Sequence, residues 1–157
     1  MNLDRTDYQI LTQLQADGRM TNAQLAEKVN LSASACLRRV QRLEREGVIA
    51  GYAAQVDALT LGLDLQAFVR VQLKQHDSAT VEAFAQRVNE WDEVATCHAL
   101  TGDMDYLLHV YVSDLEHFSH FLLDRLLNTG GVADVNSSFV LRTVKQSSSV
   151  PLGRAAG

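Results

Sequence analysis

The stretch TNAQLAEKVNLSASACLRRVQRLEREG, from Thr21 to Gly47, decides how this chain folds at its N-terminal end. Thr21 and Gln24 have the Thr-x-x-Gln spacing of a capping box, in which two side chains satisfy free backbone N–H groups at a helix start. Leu25, Ala26 and Val29 then share one face of a helix of about two turns. Asn30 tolerates the left-handed backbone that ends such a helix, and Leu31 turns inward as a plug. Ser32 is a suitable N-cap for a second helix running towards Gly47. The expected unit is helix, turn, helix.

On a wheel of the second helix, Cys36, Leu37, Val40 and Leu43 gather on one arc and are expected to pack. Ser34, Arg38, Gln41, Arg42 and Arg45 gather on the other. From Ser34 to Arg45 four arginines stand against a single Glu44, so this face is positive. Ser34 and Ala35 are small enough for close approach to a major groove, while the arginines reach phosphates or guanine edges. Candidate contacts to double-stranded DNA are therefore Ser34, Ala35, Arg38, Gln41, Arg42 and Arg45. Ser34 and Gln41 are secondary among these, and so are Ser32, the expected cap, and Arg39, at the edge of the groove. The bland alternative is a solvated helix face.

The whole chain has 157 residues, 46% apolar and 21% charged, which is an ordinary globular composition with room for one large or two small domains. No apolar run approaches the roughly 20 residues of a membrane span, and MNLDRTDYQ lacks the parts of a signal peptide, so a cytoplasmic protein with no membrane partner is expected. Cys36 and Cys97, the two cysteines, form no CxxC pair and suit reduced, buried thiols. The net charge of −5 falls entirely on residues 58–157, residues 1–57 being neutral. DNA contact therefore belongs to the first part, and a neutral domain with one basic helix suggests that two copies bind together.

Asp4 can cap a first helix in which Ile10, Leu11 and Leu14 recur at helical spacing, with Gly18 past its end. After Gly47, VIAGYAAQV reads as a strand or short wing. Residues 1–57 thus make a winged helix-turn-helix domain, 58–64 a linker, 65–146 a second domain and 147–157 a polar tail in which Val150 and Leu152 could dock. In the second domain Leu65, Ala67, Val69, Val71 and Leu73 alternate with Gln66, Phe68, Arg70, Gln72 and Lys74, the pattern of a half-buried strand. Ser78 then caps a helix with Val81, Phe84, Ala85 and Val88 inward. Strands at about 93–101 and 105–112 are joined by a short turn at Gly102, Asp103 and Met104. Ser113 and Glu116 form a capping box opening a helix with Leu115, Phe118, Leu122 and Leu126 on one side, stopped by Gly130 and Gly131. The last strand spans about 134–145. The order β-α-β-β-α-β is the ferredoxin-like arrangement, so the fold class is α+β. Phe68, Val140 and Tyr111 would face away from the helices, and apolar sheet surface of that kind calls for oligomerisation.

Four pieces in this order, LDRTDYQILTQLQADGRMTNAQLAEKVNLS, RVQRLEREGVIAGY, TGDMDYLL and SSFVLRTVKQ, resemble the Lrp/AsnC family of transcription regulators, also called feast/famine regulators, over residues 3–152. The resemblance implies a DNA-binding helix-turn-helix, a C-terminal domain of the type that regulates amino-acid metabolism, and a homodimer that assembles further into tetramers or octamers. It also implies an amino-acid effector, with no other cofactor, held at the hairpin turn between subunits. That points to Thr101, Gly102, Asp103 and Asp105, with Phe139 a weaker candidate for the effector side chain. The chemistry suits the assignment, since a turn glycine exposes N–H groups to a carboxylate and an acid pairs with an ammonium group. A tight hairpin with solvated acids is the competing reading. The family often has Ser-Pro-x-Pro where this chain has Ser32-Ala33-Ser34-Ala35, so the residues entering the groove first are its own.

Two rivals remain. A dimeric ferredoxin-like enzyme would use His98, His109, His117, His120 and Cys97 as metal ligands, but Cys97 and His98 point to opposite sheet faces and no HExxH or CxxC is present. A scaffold would turn the helical domain to another protein instead of DNA; a salt-insensitive interface would distinguish it.

Overall fold

The computed structural model describes residues 2–147 and 149–152. The chain divides into two compact units, one of residues up to 55 together with those from 145 onward, the other of residues 56–144. No helix among the described residues is long and apolar enough to cross a membrane.

In the first unit α1 (Arg5–Ala16) starts at the Asp4 cap, where Asp4 and Asp7 form a reciprocal capping box. The Thr21 and Gln24 box opens α2 (Asn22–Lys28) as expected. Asn30 takes a φ of 53°, and the Leu31 N–H donates to the Ala26 carbonyl at 2.9 Å, which closes the left-handed exit. The Ser32 hydroxyl then accepts from the Ala35 N–H and opens α3 (Ala33–Arg45). Ile10, Leu11, Leu25, Ala26, Val29, Cys36 and Leu43 form the core of this unit. Leu37 is a correction: it is 44% exposed. A helix advances about 100° per residue, and with Cys36 and Leu43 facing the core, Leu37 is carried outward.

The segment after α3 also departs from expectation, since no paired strand forms over residues 48–57. Instead Val48 and Ile49 both donate their N–H groups to the Leu43 carbonyl, at 2.9 and 3.1 Å, and their side chains pack on the helical core. A strand needs a paired strand for its backbone groups, and among the described residues the only sheet is the four-stranded one of the other unit. Tyr52 fastens it further by donating to Glu44 Oε1 at 2.9 Å. Burial, then the hydrogen bond to Glu44, push the phenol up to about 12; because the residue is half exposed, the hydrogen bond is the firmer cause. A raised phenol stabilises the fold fully below its ordinary value and loses that contribution as pH rises through the folded one. Tyr52→Phe should therefore cost roughly 0.5–1.5 kcal/mol at pH 7. The gap between wild type and variant should narrow above pH 10, as read by denaturant melts at both pH values.

The second unit is an antiparallel four-stranded sheet in the order β2-β3-β1-β4, with β1 Leu65–Leu73, β2 Val94–Ala99, β3 Tyr106–Val112 and β4 Val132–Phe139. Helices α4 (Ser78–Val88) and α5 (Leu115–His120) lie on the connections. The inward residues of β1, namely Ala67, Val69, Val71 and Leu73, meet Leu108, Val110 and Val112 of β3 and Phe84, Trp91, Phe118, Phe121 and Leu126. Phe68, opposite His109, is on the other face.

Several boundaries shift. Asp77, not Ser78, caps α4, and Asp114, not Ser113, caps α5, because each carboxylate accepts the N–H three residues on. Ala85, expected inward, is exposed, whereas Trp91, beyond the helix end, is buried in the core. Leu115, in the first turn of α5, is 63% exposed, whereas Phe121 is buried. After α5 the helix widens to a π-turn over Phe121–Leu126 and tightens to 3-10 over Leu127–Thr129, which changes the spacing of the inward side chains. β4 begins at Val132 because Gly130 and Gly131, at φ of 70° and 81°, turn the chain immediately before it. It ends at Phe139 because β1 starts at Leu65, leaving only Val140 to donate to Gln66.

Candidate functional site

The exposed arc of α3 is narrower than the wheel suggests. Ser34, Leu37, Arg38, Gln41 and Arg45 are exposed and share that arc, with Ala35 half-buried beside it. Arg38 and Arg45 form no ion pair among the described residues. Arg39 and Arg42 are spent differently. Arg39 Nη1 donates to Asp4 Oδ2 at 2.7 Å and to Asp7 Oδ1 at 2.8 Å, and Arg42 Nη2 donates to Asp7 Oδ2 at 2.5 Å. Asp7 itself is fully buried. Arg39 holds the Asp4 carboxyl below the usual range, chiefly through its hydrogen bond, and its own guanidinium is raised in turn. Two of the four arginines therefore tie α3 to α1, while Ser32 is occupied as the cap. Asp7 carried a signal in the sequence, since it sits with Ile10, Leu11 and Leu14 on the apolar stripe of α1.

At the hairpin between β2 and β3, Thr101, Gly102 and Asp103 are exposed, and Gly102 has a φ of 118° that favours glycine. Asp105 is held from both sides: Oδ2 accepts the Leu73 N–H at 2.7 Å and Oδ1 meets His76 Nε2 at 2.8 Å. Those two hydrogen bonds, the backbone one first, keep its carboxyl below the ordinary range, so it is an anion throughout neutral pH. His76 escaped notice in the sequence because it lies 29 residues from Asp105 and only the β1 to β3 pairing joins them. Phe139 is elsewhere. It pairs with Ala67, whereas the Asp105 N–H donates to Val71, so the two lie four β1 residues apart, roughly 13 Å at 3.3 Å per residue. Its ring meets Phe118 edge-on at 5.0 Å. The structure does not bring Phe139 to the hairpin within one chain.

The remaining histidines are dispersed. His117 Nε2 lies 3.3 Å from Glu93 Oε1, while the other oxygen of Glu93, Oε2, pairs with Arg125, and His120 pairs with Asp124 at 2.9 Å. His109 stacks on Phe68, and burial lowers its value. Among the described residues no group of three or more His, Cys, Asp or Glu side chains gathers as a metal would require.

Comparison with known proteins adds the decisive observation. Residues 3–50 match a winged helix-turn-helix DNA-binding family model, and residues 66–150 match the Lrp/AsnC ligand binding domain. The chain belongs to the Lrp/AsnC family. It is 41% identical over 152 residues to a leucine-responsive regulatory protein of Rhizobium meliloti, covering 97% of each chain. It is 40% identical over 146 residues to that of Escherichia coli K12, covering 93% of this chain and 89% of the other. Among solved structures, a transcriptional regulator of Neisseria meningitidis in complex with L-Met has a TM-score of 0.94 and 47% identity over 97% of this chain and 98% of that one. A feast or famine regulatory protein of Mycobacterium tuberculosis complexed with L-methionine has a TM-score of 0.85 at 31% identity, covering 95% and 99%. This Lrp/AsnC protein is thus an effector-responsive, DNA-binding transcriptional regulator and not an enzyme.

Proposed function

We propose that this Lrp/AsnC regulator works in the cytoplasm, binds duplex DNA as a homodimer or a tetramer or octamer built from dimers, and responds to an amino acid. The observation that carries the DNA half is the exposed arc of α3. Arg38 and Arg45 are the phosphate or guanine contacts, Gln41 and Ser34 read base edges, and Ala35 permits close approach. Leu37 joins them as an apolar contact for a thymine methyl, a role its exposure supports. Residues 1–57 form the DNA-binding domain, 58–64 the linker and 65–146 the regulatory domain.

For the effector, Asp105 pairs with the α-ammonium group, and the backbone of Thr101, Gly102 and Asp103 receives the carboxylate. Two structural relatives were solved with methionine, which makes it the first amino acid to test. Paired regulatory domains set the spacing of two recognition helices, and the effector shifts assembly or spacing, changing affinity for paired half-sites. Fluorescence anisotropy on duplex DNA from upstream of its own gene, at two salt concentrations and with individual amino acids, tests both halves. Salt-sensitive binding that methionine or another amino acid changes is the expected result. Asp105→Asn, which keeps an acceptor for Leu73 but loses the charge, should abolish the amino-acid response and leave effector-free DNA binding intact. A full response in that variant would remove Asp105 from the site.

A further inference from the structure

We infer that Asp7 is a specificity-setting counter-charge, which holds Arg39 and Arg42 off the DNA and restricts phosphate contact by the α3 arginines to Arg38 and Arg45. The inference rests on the reading of α3 as the DNA-facing helix and adds a role for a residue that no groove could touch.

The Asp7 side chain is 1% exposed, yet its two oxygens accept from both guanidinium groups and also from the Asp4 N–H at 3.0 Å. Asp4 gives Arg39 a second acceptor. Two positive charges thus meet two negative ones at the junction of α1 and α3, and the junction is neutral. Without that pairing all four arginines of α3 would be available to any phosphate backbone, because Arg39 and Arg42 keep side-chain exposures of 29% and 34% and are not locked inside. Arg42 also buries its Nε without a hydrogen-bond partner. It stays for Asp7 alone, and neutralising Asp7 removes the reason to stay. Phosphate contacts raise affinity for every sequence equally. A protein with two more of them binds all DNA more tightly and separates its own site from the rest less well.

The test compares wild type with D7N, R39Q, R42Q and R38Q on the upstream duplex and on a scrambled duplex of equal length, across a salt series. Each phosphate contact steepens the slope of log affinity against log salt by about 0.9. R38Q should lose about that much per protomer, which checks the reading of α3 separately. R39Q and R42Q should leave the slope unchanged. D7N, of equal size and still able to accept the Asp4 N–H, should steepen it by about 0.9 per protomer, since Arg42 is released while Arg39 keeps Asp4. It should also tighten scrambled-duplex binding and narrow the ratio between the two duplexes. A purely structural role would weaken binding without steepening the slope. If R38Q flattens the slope but R39Q or R42Q flattens it equally, the inference is overturned while the DNA-facing helix stands. A folded D7N with an unchanged slope also overturns it. Should D7N not fold, R39Q and R42Q decide alone.

Discussion

Phe121→Ala should destabilise the regulatory unit by about 3–5 kcal/mol, the cost of emptying a large aromatic site in a packed core. Phe121 is 1% exposed and lies at the start of the π-turn, where its ring meets Trp91 at right angles with centroids 5.6 Å apart and Phe118 at 6.4 Å. Trp91 in turn meets Phe84 edge-on at 6.5 Å. Removing the middle ring therefore unseats both neighbours and leaves a cavity that rigid sheet residues such as Val69 and Val110 cannot close. Thermal or denaturant unfolding followed by Trp91 fluorescence, the chain's single tryptophan, measures the loss. Leu115→Ala is the natural comparison. That residue is 63% exposed, so its truncation should change stability by less than about 0.5 kcal/mol. Equal losses in the two variants would mean that Leu115 is as deeply packed as Phe121, contrary to its exposure.

The same π-turn marks where the sequence stopped being legible. Capping residues, alternation and turn glycines are local signals, and they placed α1, α2, α3 and β1 closely: Thr21, Asn30 and Ser32 each do at the turn what their chemistry allows. A widened turn has no such signature, because it answers to packing from across the chain. The same holds for caps with two candidates one residue apart. Asp77 and Asp114 displaced Ser78 and Ser113, and a carboxylate is the stronger acceptor at the positive end of a helix. For the sites, the charge of α3 could be read from its arginines, but which of them remain free could not. That depends on Asp7, 32 residues before Arg39 and brought there by the fold. His76 against Asp105 is hidden for the same reason.

Phe68→Asp should convert the proposed homodimer, and any larger assembly built from it, to a monomer and weaken DNA binding by a factor of roughly 10² to 10⁴, the usual contribution of a second linked site. Phe68 is 40% exposed on the sheet face away from the helices. Its ring lies 4.4 Å from that of His109 at an angle of 12°, and His109 lies 4.6 Å from Tyr111. Leu107, opposite Arg70, flanks this row on the same face. A monomer gains nothing by keeping a stacked aromatic row in water, whereas two copies related by a two-fold axis can bury it against itself. In such a contact every substitution enters twice. Phe68→Asp thus removes two rings and introduces two carboxylates, which must give up water on association. The substitution sits on an open face, so the monomer's own core is untouched and its circular dichroism should match wild type. Phe68→Leu keeps apolar area and should retain the assembly. Light scattering with anisotropy on the same samples reads both effects. An aspartate variant of unchanged mass would show that the subunits meet through some other surface, while a monomer with undiminished DNA affinity would mean that one recognition helix suffices.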